Sequence, residues 1–129
     1  HKISFKTELP AEDIRMYGQE VQISPVLVNL LQNSIDAVKH REVREITLKL
    51  YRTDRHCCIR VSDRGTGVSR ENVEKIFQPF FTTKSVGEGT GIGLSIAHGI
   101  VQQHGGEIEL LNEREPTIFE IRLPLFIEA

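Results

Sequence analysis

Three groups of residues in this chain have the types and spacing to do chemistry. The first is Gly87-Glu88-Gly89-Thr90-Gly91-Ile92-Gly93-Leu94, where four glycines alternate over seven residues before a helix-spaced apolar run begins. Glycine at that density belongs where the backbone turns through unusual φ/ψ or lies against another group. N–H groups freed by such a loop, next to a helix N-terminus, cradle phosphate; a flexible linker or a helix-entry turn is the plain alternative. The second group is Asn29, Asn33 and Asp36, which fall at i, i+4 and i+7 and so share one stripe of a helix. Asparagine is a poor mid-helix residue because its amide competes for backbone hydrogen bonds, and a plain solvated face is better served by Lys, Glu or Gln. A neutral carboxamide oxygen suits Mg²⁺ that keeps most of its coordination for water and phosphate. The third group is Asp63 with the turn Arg64-Gly65-Thr66-Gly67-Val68 behind it. Ile59, Val61 and Asp63 share one phase of a strand, so a core-facing Ile59 and Val61 bring the carboxylate inward too. That is costly unless something donates to it. An exocyclic amino group such as that of adenine would do so, with the glycine turn letting a flat ligand lie against the main chain. An Asx-turn at the strand end would also satisfy the residue. Lys84, just before the glycine run, could reach a terminal phosphate or be an ordinary surface residue.

The elements that must position these groups read as follows. Residues 1–20 give two short strands, Ile3 with Phe5 and Ile14 with Met16, as an edge hairpin broken at Pro10. Ser24-Pro25 is a helix start, an N-cap residue followed by proline at the first helical position. From there Leu27, Leu30, Leu31, Ser34, Ile35 and Val38 form the apolar face opposite the asparagines. Residues 44–63 alternate as a hairpin turning at Thr53 to His56. Ser69 to Lys75 reads as one short helix, and Ile76-Phe77-Gln78-Pro79-Phe80-Phe81 as core. A second long helix runs from Leu94 to a stop at His104-Gly105-Gly106. Two strands close the chain, around Ile108 and from Ile118 to Pro124. Strands mixed with helices in this order suggest an antiparallel or mixed sheet with its helices on one face.

Composition sets the outer bounds. With 129 residues, 39% hydrophobic and 26% charged, the chain fits one domain able to bury its own core. A net charge of −2 gives no basic footprint for nucleic acid. No apolar run approaches the roughly 20 residues that span a bilayer. Cys57 and Cys58, the only cysteines, are adjacent on a strand and point to opposite faces, one thiol to the core and one to the surface. They read as reduced thiols in a cytoplasmic setting.

Taken together, these stretches resemble the ATP-binding catalytic domain of bacterial sensor histidine kinases, within the GHKL superfamily of DNA gyrase B and MutL. Leu27 to Ala37 resembles the N box and Asp63 to Val68 the G1 box. Ile76 to Lys84 resembles the F box, Gly89 to Leu94 the G2 box, and the closing strand also matches. Four boxes in order are far more specific than a lone glycine motif. The resemblance implies an α+β, two-layer sandwich of the Bergerat type, spanning 1–129 as one domain, its mixed, mostly antiparallel sheet covered on one face by three helices. It implies ATP and Mg²⁺ as cofactors. Asn33 would hold the metal, with Asn29 a turn earlier on the phosphate side; the two are the catalytic candidates. Asp63 would accept the adenine amino hydrogens and Gly67 would give the base room. Gly65, Val68, Phe77, Lys84, Thr90, Ile92, Leu94 and Thr117 would complete the nucleotide site, with Gly89, Gly91 and Gly93 wrapping the phosphates. Gln78 to about Glu88 would form a mobile lid.

Two departures matter. Asp36-Ala37 replaces the basic and aromatic residues common after the N-box asparagine, leaving Lys39, His40 or Lys84 for the phosphates. Pro116-Thr117 replaces the usual Gly-Thr. Hydrolysing relatives carry a glutamate where this chain has Asn29, which cannot accept a proton at neutral pH. That favours phosphoryl transfer to a positioned side chain over hydrolysis. None of the five histidines is followed by Glu or Asp, the pattern of the family's acceptor. The chain is therefore expected to be a fragment, monomeric by itself. The acceptor would lie on a helical hairpin of a homodimeric, in some cases inner-membrane, parent that passes phosphate to a response regulator. The competing readings are a nucleotide-binding module without catalysis and a serine kinase of the anti-sigma-factor type.

Overall fold

The computed structural model describes residues 3–9, 20–78 and 93–125. Among them are five strands and two helices: β1 (Ser4–Glu8), α1 (Glu20–Val38), β2 (Glu45–Arg52), β3 (His56–Asp63), α2 (Gly93–Gln103), β4 (Glu107–Asn112) and β5 (Thr117–Pro124). The strands form one sheet in the order β1-β2-β3-β5-β4. β1 pairs parallel with β2, and every other neighbouring pair is antiparallel. Parallel neighbours require a crossover, and α1 supplies it between β1 and β2.

Strand alternation sorts the sheet into two faces. Ile46, Leu48 and Leu50 oppose Asp63, Val61 and Ile59 across the β2–β3 register, and Ile59, Val61 and Asp63 oppose Ile121, Phe119 and Thr117 across β3–β5. This is the inner face. The core forms where Val26, Leu30 and Val38 of α1 and Ala97 and Val101 of α2 meet Ile46, Ile59, Val61, Phe119, Ile121 and Leu123. The hairpin turn between β2 and β3 closes with the Thr53 N–H donating to the His56 carbonyl at 2.9 Å, and the His56 N–H returning to Thr53 Oγ1 at 3.2 Å.

The end of α2 follows from its glycines. The Gly105 N–H donates to the Gln102 carbonyl and the Gly106 N–H to the Val101 carbonyl, both at 3.0 Å, with Gly105 at φ +74°. That is a Schellman stop, in which only glycine takes the left-handed position without strain. Gly106 is required for a second reason: a Cβ there would run into the Arg122 carbonyl oxygen.

Three local expectations change. Pro25 lies inside α1, which begins at Glu20; in the second turn the proline forgoes the hydrogen bond to the Val21 carbonyl and its ring crowds that carbonyl, a local cost that the helix carries. Residues 70–77 are consecutive turns rather than a third helix, with N–H groups of Asn72, Val73, Lys75 and Gln78 donating three residues back. A segment this short does not offset the cost of helix nucleation. Cys58 points to the outer face as expected yet is buried, because Tyr51, Arg60 and Glu120 gather over that face; both thiols are free. β1 pairs in parallel with β2, and the second short strand of the expected edge hairpin, at Ile14 and Met16, lies outside the described residues.

Candidate functional site

Asp63 ends β3 on the inner face and is only 4% exposed. Its two carboxylate oxygens each have one donor. The Ser34 hydroxyl of α1 donates to Oδ2 at 2.9 Å, and the Gly65 N–H donates to Oδ1 at 2.9 Å. The Asx-turn is therefore real, and the carboxylate does not lack donors; it keeps further lone pairs, since an ionised carboxylate has about four acceptor sites. Burial pushes its pKa up, and the Ser34 and Gly65 hydrogen bonds pull against that rise without cancelling it.

The G1 loop is clamped from both sides. The Thr66 N–H donates to the Ala37 carbonyl at the end of α1, at 3.2 Å, and a Cβ on Gly65 would lie within 2.5 to 2.7 Å of Ala37. The Val68 N–H donates to the Glu113 carbonyl in the β4–β5 turn at 2.8 Å. Gly67 sits at φ +78°, and a Cβ there would lie 2.5 Å from the Cβ of Arg114. Its bareness thus answers first to the packing of the β4–β5 turn. Thr117, directly opposite Asp63 in register and 3% exposed, donates its hydroxyl to the same Glu113 carbonyl at 3.3 Å.

Phe77 stacks on His98 of α2 with ring centroids 5.2 Å apart and meets Phe119 edge-on at 6.3 Å. It fixes the start of the F box against core, and Leu94 packs on the same core. Asn29 and Asn33 are half-buried on α1. Asp36 of the same stripe accepts from Gln32 Nε2 at 3.1 Å and faces Lys39 Nζ, just past the end of α1, at 3.8 Å. Gly93 opens α2. Lys84, Gly89, Thr90, Gly91 and Ile92, and the lid expected beyond Gln78, lie outside the described residues.

As a metal site this donor set is sparse. Among the described residues no three His, Cys, Asp or Glu side chains gather to hold an ion. Neutral carboxamides fit a hard cation that arrives with most of its coordination filled by water and phosphate, as Mg²⁺ does. The residue that sequence reasoning overlooked is Ser34, read there as a member of the apolar stripe. Its signal was a lone hydroxyl between Leu30 and Val38 on a face that is otherwise apolar.

This architecture defines a GHKL catalytic and ATP-binding domain of the sensor histidine kinase type. Residues 18–127 match the family described as histidine kinase-, DNA gyrase B-, and HSP90-like ATPase, and the chain belongs to that family. The two-component sensor PprA of Pseudomonas aeruginosa is 35% identical over 136 aligned residues, covering 100% of this chain and 14% of PprA. The sensor kinase CckA of Brucella abortus is 42% identical over 123, covering 83% of this chain and 13% of CckA. The solved catalytic domain of the histidine kinase ThkA superposes with a TM-score of 0.81 at 35% identity, over 95% of this chain and 78% of that one. The chain thus spans a small part of the sensor proteins it matches.

Proposed function

We propose that this domain binds Mg²⁺-ATP and donates its γ-phosphoryl group to a histidine on a separate helical hairpin domain of the same parent protein. The observation that supports ATP most directly is the buried Asp63 carboxylate, fixed by one donor on each oxygen and left with acceptor capacity suited to an adenine amino group. Asn33 would be the protein ligand of Mg²⁺, which supplies charge neutralisation for the transferring phosphoryl group. Asn29, one turn away, offers a carboxamide in place of a proton-accepting carboxylate, so water near the phosphate is not activated by this helix. The chain's own work is then to hold the base at Asp63, seat it against the Gly65–Val68 turn, and orient the phosphates near α1.

The partner would be the acceptor hairpin, with a response regulator downstream and a homodimeric parent. The domain itself would be cytoplasmic whether or not the parent is anchored in the inner membrane; no described helix is long and apolar enough to cross one. Radiolabelled ATP, this chain and the parent's hairpin domain supplied in trans test the reading. Acid-labile, base-stable label on the hairpin is expected. Tight nucleotide binding without label transfer would overturn the kinase role and leave a binding module.

A further inference from the structure

Resting on the adenine reading of Asp63, we propose that Ser34 is a positioning and specificity-determining residue of the base pocket, acting through the carboxylate it holds. Ser34 lies 29 residues from Asp63 in sequence and is 2% exposed, and its Oγ lies 2.9 Å from Asp63 Oδ2. A serine hydroxyl has one hydrogen. With that hydrogen committed to Oδ2, the remaining lone pairs of Ser34 can only accept. The Gly65 N–H is committed to Oδ1 in the same way. Ser34 and Asp63 therefore present acceptors alone where a base would meet them, and the first N–H of the turn is already spent on Oδ1.

That arrangement discriminates by the sign of the hydrogen bond. A 6-amino purine offers two hydrogens to an edge made of acceptors. A 6-oxo purine offers an oxygen there, which meets lone pairs, and sites built this way reject the wrong partner more strongly than shape alone does. Ser34 contributes twice. It locks one oxygen so that the carboxylate plane cannot rotate, and it counters the burial that pushes Asp63 toward its protonated, donor-bearing form. It also ties the pocket to α1, the helix that carries Asn29 and Asn33, so base and phosphate ends are held by one rigid element.

The test is calorimetric titration of ADP and of purine riboside 5′-diphosphate, which lacks the amino group, into the wild-type chain, Ser34→Ala and Ser34→Thr. Ser34→Ala is expected to bind ADP about tenfold more weakly while the deamino nucleotide changes less than about twofold. Ser34→Thr, which keeps the hydroxyl, is expected to restore the preference for ADP. Equal losses for both nucleotides would make Ser34 a structural residue of the helix and overturn the proposal, as would a Ser34→Ala chain that keeps the full preference. A wild-type chain with no preference for ADP would instead overturn the reading of Asp63, and this inference with it.

Discussion

The carboxylate of Asp63 is removed from water, and burial raises its pKa above the ordinary range despite the hydrogen bonds from Ser34 and Gly65. The native state therefore binds this proton more tightly than the unfolded chain. Stability contributed by the site falls as pH rises from the ordinary carboxylate range through the raised value, so at neutral pH the ionised group is a net cost. Asp63→Asn is expected to melt at or above the wild-type temperature at neutral pH, yet to bind ADP at least about tenfold more weakly. The melting difference between the two proteins should shrink as pH is lowered through that window; a constant difference would mean that ionisation is not the cause. Asn33→Ala is expected to abolish the enhancement of ADP binding by Mg²⁺, read as the ratio of affinities with and without the ion. At this scale the sequence was unevenly legible. The phase of Ile59 and Val61 correctly turned Asp63 inward, because alternation is a local rule. Ser34 was not recognised, since a small residue in an apolar stripe looks the same whether it fills space or donates across 29 positions.

Glycines separate what the elements need for shape from what they need for space. Gly99, inside α2, has nothing within 4 Å of a would-be Cβ, so Gly99→Ala should stabilise by about 0.5–1 kcal/mol through helix propensity. Gly105→Ala meets only Pro124 at 3.5 Å but must adopt φ +74°, for a cost of about 1–2 kcal/mol. Gly106→Ala drives a Cβ into the Arg122 carbonyl oxygen; the backbone must move and the loss should exceed that at Gly105. Thermal melts of the three variants check the order, and a Gly106→Ala chain as stable as wild type would show that the β4–β5 edge yields easily. The long periodic elements and the β2–β3 hairpin were readable because period 3.6 and period 2 are strong signals over eight or more residues. The turn-built segment 70–77 was not, since a few residues of helix-like pattern cannot reveal whether N–H groups reach back three positions or four. The start of α1 misled for a related reason: Ser-Pro marks a helix N-terminus only when no helical turn precedes it.

On the molecule as a whole, the helices cover one side of the sheet, and the opposite side carries a polar network. Glu120 accepts from the Tyr51 hydroxyl at 2.6 Å and from Arg60 Nη2 at 2.7 Å, while Arg122 reaches Glu120, Glu107 and Glu109. Burial pushes the Glu120 pKa up, but the bonds from Tyr51 and Arg60 and the nearby Arg122 hold it below the usual carboxylate value. Its stabilisation is thus present at neutral pH and lost as pH falls through that lowered value. Arg60→Leu leaves Glu120 buried with less compensation and should cost about 1–3 kcal/mol. Adding Glu120→Gln to it should recover part of that loss, and a double-mutant cycle with no coupling would show the pair to be incidental. The network has a consequence for crowding. In a dimeric parent two copies of this domain would be tethered at an effective concentration on the order of millimolar, enough for a bare apolar sheet face to fuse them. A face whose donors and acceptors are already matched to one another would have little to offer a second copy.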